Sequence, residues 1–231
     1  MNNELDEINS FLTYGIATQI FQAQRNLHIW EKIRDQAIEI KKRDTEVNHL
    51  FTFLQQSAQT NFVLHTAKLF DNPSTKYPTR CILSFLNLVD KINVYPEIEN
   101  KSNCRELLVK YEVHEKIIEF LNHNDSVIFF KNYITYLISK YNSIEIKTQI
   151  EGIKHIRDKY VAHNEDMKDS SNLDLQIVKN LLRFATEILE VFGITIFNSD
   201  WSFNNALING EVDRNSYFID HTLMKFGIIK Q

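Results

Sequence analysis

Glycine and proline are scarce: 5 and 3 residues in a chain of 231, where average usage would give roughly 16 and 12. So few breakers exclude a strand-and-turn architecture and favour long helices with few connections. Cysteine is scarcer still. Cys81 and Cys104 form no CxxC pair and no dense framework, which excludes a disulfide scaffold and a thiolate metal site and leaves both as small core residues. No run approaches 18 consecutive apolar residues, and the start, MNNELDEINSF, is acidic where a secretion signal is basic. The expectation is a soluble cytoplasmic protein with no membrane partner. There is no excess of positive charge either: the net charge is −4, so no global field draws the protein onto nucleic acid, and any such contact has to be local.

What is present is apolar periodicity. Hydrophobic residues make up 43% of the chain, too many for a disordered one. Residues 4–42 carry apolar positions at helical spacing (Ile8, Leu12, Ile16, Ile20, then Ile29, Ile33, Ala37, Ile40), as one helix or two. Val47 to Phe70 follows and stops at DNPSTKYPT. Further helices are expected over Thr79–Ile92, Leu107–Leu121, Val127–Lys140 and Ile144–Ala162, the last two separate or one bent, and then over Leu173 to Phe197. The polar stretch NVYPEIENKSN reads as a loop, and residues beyond Asn198 lose the pattern. The fold class is therefore all-α: a single domain over 1–231, an up-and-down bundle with its core at about 5–197 and a C-terminal extension, 198–231.

One helix carries an anomaly. Along Ile144 to Asn164, the residues Ile146, Ile150, Ile153 and Tyr160 share one face, and Arg157 falls inside that stripe. An unpaired buried guanidinium is strongly disfavoured, so Arg157 has either to snorkel into a salt bridge or to point into a polar cleft. Asn164 suits a left-handed cap, which puts His163 in the last turn, where the negative end of the helix dipole favours an imidazolium. The long apolar helix from Leu173 shows two stripes, one at Ile177, Leu181, Phe184, Ile188 and Val191, the other at Val178, Leu182, Ala185 and Leu189. The second stripe is either buried centrally or covered by a homodimer partner.

RDKYVAH, Arg157 to His163, resembles the R-x(4–6)-H signature of HEPN ribonucleases, with a polar residue, Asp158, directly after the arginine. LFDNPSTK after a long helix, followed much later by RDKYVAHN and a long apolar helix, resembles more narrowly the abortive-infection AbiU branch. The likeness covers roughly residues 5–197. It implies a HEPN-like helical bundle, a dimer that juxtaposes two motifs, and RNA cleavage without metal or other cofactor, with Arg157 and His163 catalytic. Asp71 in LFDNP matches a shared family feature, although an Asp ending a helix before Asn-Pro needs no further role. Two other stretches satisfy the same expression: RDTEVNH, Arg43 to His49, and RNSYFIDH, Arg214 to His221. Only Arg157 and His163 close one long helix before another; Asp44 and Thr45 read as helix caps.

The residue types fit the chemistry. Metal-free cleavage needs the 2′-hydroxyl to lose a proton and the 5′-oxygen to gain one, which an imidazole can serve. A guanidinium can hold two charged oxygens of the phosphorane-like transition state. Asp158, Lys159, Asn164 and Lys154 are candidates for orienting the pair or touching RNA, with His155 adding local charge. Two alternatives stay open: an inactive HEPN scaffold that binds RNA, a nucleotide or a protein, and a toxin silenced by an antitoxin protein.

Overall fold

A computed structural model describes residues 2–74, 76, 79–122, 125–159, 174–198 and 218–229. Among these residues every regular element is helical. The N-terminal segment is a single rod in three parts: α1 (Asn2–Phe11), a π turn (Leu12–Ala17) and α2 (Thr18–Asp35). It is interrupted at Gln36, whose φ of −102° and ψ of 8° leave the helical region, before a short α3 (Ala37–Lys41). Ile8, Leu12, Ile16 and Ile20 are wholly buried, as their spacing requires. Gly15 lies in the π turn where space is tight: a Cβ there would come within 2.7 Å of the Cβ of Arg80.

The next helix, α4 (Thr45–Leu69), starts where expected because the Asp44 carboxylate accepts from the Val47 N–H at 2.9 Å. It packs along α2. Trp30 donates to Gln59 at 3.3 Å, while Gln19 meets His65 at 2.7 Å. Later residues of α2 thus meet earlier residues of α4, and the pair is antiparallel. α5 (Ile82–Asp90) follows the loop and is shorter than its apolar pattern.

The expected helix over Leu107–Leu121 is replaced by two. Asn100 accepts from the Asn103 N–H at 3.2 Å and starts α6 (Lys101–Lys110) inside the stretch read as a loop. Glu112 then adopts φ 57°, and the Val113 N–H reaches back to the Leu108 carbonyl at 2.9 Å. That is a Schellman-type stop without glycine. α7 (Glu115–Glu119) begins afresh beyond it.

α8 (Ser126–Tyr141) and α9 (Ile144–Arg157) are separate helices, the second capped by Ser143. α10 (Leu175–Phe197) is the axis of the bundle: every residue from Phe184 to Ile196 is buried. Both of its stripes are therefore filled within one chain from Phe184 onward. The second stripe gives no reason of its own for a partner subunit.

Two acids ride inside that axis. Glu187 and Glu190 are 1% and 2% exposed. Lys140 reaches Glu187 at 2.7 Å, and Lys110 and Tyr111 reach Glu190 at 2.7 and 2.6 Å. The C-terminal residues 218–229 pack on a second apolar cluster, in which Ile219, Leu223 and Ile228 meet Ile33, Ile40 and Phe51. Lys32 and Asp220 tie the two segments at 3.1 Å. No helix among the described residues is long and apolar enough to cross a membrane.

Candidate functional site

Arg157 is the last residue of α9, one turn beyond Ile153 on the buried stripe. Its side chain is 24% exposed and turns across the helix end instead of entering the core. Nη1 donates to the Asp71 carboxylate at 2.6 Å, and Nε donates to Asp158 at 2.8 Å. Nη2 lies 2.8 Å from the same Asp158 oxygen. Of the five guanidinium N–H groups, one on each terminal nitrogen has no carboxylate contact. Partial burial disfavours the charge, but the hydrogen bonds donated to Asp158 and Asp71 and the charges of those carboxylates outweigh it and raise the pKa of Arg157.

Asp71 is placed by α4. The residue before it, Phe70, is wholly buried and stacks on Tyr141 of α8 and Phe184 of α10, with ring centroids 6.4 and 6.3 Å apart. A carboxylate just past a helix C-terminus faces the negative end of the dipole and calls for a cation. Arg157 supplies it. One turn earlier on α9, Lys154 donates to Asn72 at 3.4 Å. Two consecutive residues after α4 thus grip two residues of the last turn of α9.

Beside this joint opens a cleft of about 480 Å³, lined among others by Asn72, Tyr141, Asn142, Lys147 and Lys154. Burial, then the neighbouring Cys81 and Asp71, push the Tyr141 phenol up to about 12. It stays protonated at neutral pH.

The structure brings Arg157, Asp158 and Lys154 together. Lys159 follows Asp158 and is half-buried, and His155 is exposed. His163 and Asn164 lie outside the described residues, as do Tyr160 and Ala162. Asp71 and Asn72 are the additions that sequence reasoning did not place in the site. The available signal was the acid in LFDNP at the end of a long helix, which the dipole argument marks as needing a partner. Of the other two matches, Arg43 and His49 flank the start of α4, as expected from Asp44 as its cap. Arg214 lies outside the described residues. Among the described residues no cluster of three or more His, Cys, Asp or Glu side chains is placed to hold a metal ion.

The HEPN_AbiU2 family, described as AbiU2, matches residues 6–214. The chain belongs to the AbiU2 family of HEPN proteins. No curated protein and no solved structure matches it. The AbiU2 match takes in Asp71 and Arg157, and it runs past α10 as far as Arg214. The AbiU2 assignment and the all-helical bundle therefore agree with what the two motifs implied.

Proposed function

We propose that this AbiU2-family protein is a metal-independent endoribonuclease of the toxin or phage-defence type, acting in the cytoplasm, with Arg157 and His163 as its catalytic pair. The observation that carries the reading is the state of Arg157. It is fixed by Asp71 and Asp158, yet one N–H on each terminal nitrogen is left for a ligand. A fixed guanidinium needs little reorganisation when charge develops on a phosphate.

In the reaction, the ribose 2′-hydroxyl loses its proton and its oxygen bonds to the adjacent phosphorus. The bond from phosphorus to the 5′-oxygen breaks, and that oxygen takes up a proton. The products are a 2′,3′-cyclic phosphate and a 5′-hydroxyl. His163 transfers the protons, and Arg157 binds the non-bridging oxygens. Asp71 is a positioning residue. Lys154 and Lys159 supply local positive charge to the RNA backbone, and Asn164 orients the pair or touches RNA. A homodimer that juxtaposes two such pairs, and an antitoxin protein that silences them, complete the proposal on the strength of the family alone.

One observation favours a different reading. Every nitrogen of the guanidinium has a carboxylate contact, which also suits a structural clamp in an inactive scaffold that binds RNA, a nucleotide or a protein. Incubation of RNA with the protein in EDTA, followed by end-group analysis, separates the two. Cleavage leaving 2′,3′-cyclic phosphate supports the nuclease. A 3′-hydroxyl product, or activity abolished by EDTA and restored by magnesium, contradicts the chemistry. RNA left intact with and without metal points to the scaffold.

A further inference from the structure

The Arg43 and His49 match is not catalytic in the proposal above, but the fold builds something from it. The two residues line an open cleft of about 720 Å³ with Lys41, Asn48, Phe53 and Gln56. Among the described residues no acidic one lines it. The acids nearby are engaged elsewhere: Asp44 caps α4, Glu39 holds Lys42 at 2.6 Å and Asp35 holds Arg34 at 2.8 Å. Glu46 is not among the lining residues. Among the described residues, Lys41, Arg43 and His49 have no hydrogen bond or ion pair from their side chains. The Arg43 guanidinium instead rests beside Gly227, where a Cβ would lie 3.4 Å from Nη2.

The aromatic content is as informative as the charge. Phe53 is 66% exposed on α4, one turn from His49 and nearly one from Gln56. A large apolar ring left in water between unpaired cations and side-chain amides matches a ligand with both a phosphate and a flat apolar face. Single-stranded RNA has both: cations track its backbone, aromatic rings stack on its bases, and amides read base edges. An acidic peptide would use the cations and leave the ring unused.

We infer that this cleft is a second RNA-binding site, in which Lys41, Arg43 and His49 hold backbone phosphates and Phe53 stacks on a base. The inference shares with the proposed function the premise that RNA is the ligand. The cleft and the Arg157 joint sit at opposite ends of α4. At 1.5 Å per residue, about 27 Å separates Phe53 from Asp71, just past the end of that helix. A dinucleotide cannot span that distance. The cleft therefore selects long unpaired RNA over short fragments and leaves the bond-breaking step to the other end.

The test measures binding of a labelled 2′-O-methyl oligouridylate to the full chain by fluorescence anisotropy. This probe lacks the attacking hydroxyl, so the result does not depend on cleavage. Lys41→Glu and Arg43→Glu are each expected to weaken binding about tenfold and to flatten its salt dependence. Phe53→Ala is expected to weaken it about fivefold, with no change in competition by inorganic polyphosphate. Lys41→Glu guards against misfolding, since Lys41 is exposed and makes no contact that Arg43 makes with Gly227. Charge reversals that leave affinity unchanged overturn the inference. So does a silent Phe53→Ala, which would reduce the cleft to a general anion patch. Failure of the parent protein to cleave RNA, with these binding losses intact, overturns the proposed function and leaves the second site standing.

Discussion

Two of the regions where acid meets base in this molecule contrast in what they leave accessible. Inside α10, Glu187 and Glu190 are almost fully buried, and the lysine and tyrosine groups of α6 and α8 close over them. Burial is the dominant influence on Glu187 and raises its pKa even with Lys140 at 2.7 Å. At the joint of α4 and α9, Arg157 and Asp71 are 24% and 31% exposed, and a cleft opens beside them. Both regions carry charge on an apolar helix face. Pairing alone therefore does not mark a site; what matters is whether the paired group stays accessible to a ligand. Arg157 does, and Glu187 does not.

Several substitutions can break that contrast. The largest effect is expected at the joint: Arg157→Ala and His163→Ala should each lower single-turnover RNA cleavage by about two to four orders of magnitude. The double variant should be no worse than the poorer single one, because residues acting in one step fail together. Circular dichroism has to show each variant folded. A folded Arg157→Ala protein with full activity would place the joint in the same class as the buried acids.

Next is Lys140→Ala. It strips the cation from a wholly buried carboxylate, and urea denaturation should show a loss of about 3 kcal/mol, with little change in cleavage by the folded protein. A stability-neutral result would mean that Glu187 protonates and is satisfied by its neighbours Tyr133 and Tyr136, and the contrast would weaken.

Gly15→Ala sharpens the account of how the loop after α4 is held. The new methyl meets the Arg80 Cβ at 2.7 Å. Overpacking of about 2 kcal/mol against about 1 kcal/mol gained in helix propensity leaves a net loss of about 1 kcal/mol. A raised melting temperature would show that the Arg80 segment gives way freely.

The smallest effect is a pH slope at His65. Burial, then the charge of Lys68, lower its pKa below the ordinary 6.5, and its ring meets Gln19 at 2.7 Å. A depressed histidine contributes stability that is complete above its unfolded value and is lost as pH falls through the folded one. His65→Gln should flatten the fall in stability just below pH 6.5. An unchanged slope would assign the acid sensitivity to other groups.

How much was legible in the sequence follows from the range of each interaction. α4 and α10 were readable because their apolar faces, and for α4 the cap Asp44, are local to each helix. α6 was not. Its sequence, KSNCRELLVK, is mostly polar, its cap Asn100 sits among other loop-like residues, and its stop depends on a left-handed glutamate. Arg157 stood out on its stripe because a lone charge there violates local periodicity. Its partner Asp71 is 86 positions away, and the packing of α4 on α9, with Phe70 stacked on Tyr141 and Phe184, brings it there. The second stripe of α10 shows the reverse limit: periodicity reveals that a face is apolar, not which chain covers it.

Asp71→Asn tests the central claim most directly, with unfolding free energy and single-turnover cleavage measured on the same preparation. Asn keeps the size of the side chain and removes the charge that orients Arg157. If the joint positions a functional guanidinium, stability should fall by about 1 kcal/mol or less, as for a partly exposed pair, while cleavage falls about tenfold. A loss of about 3 kcal/mol with cleavage unchanged in the folded protein would contradict the account and make the joint a structural clamp.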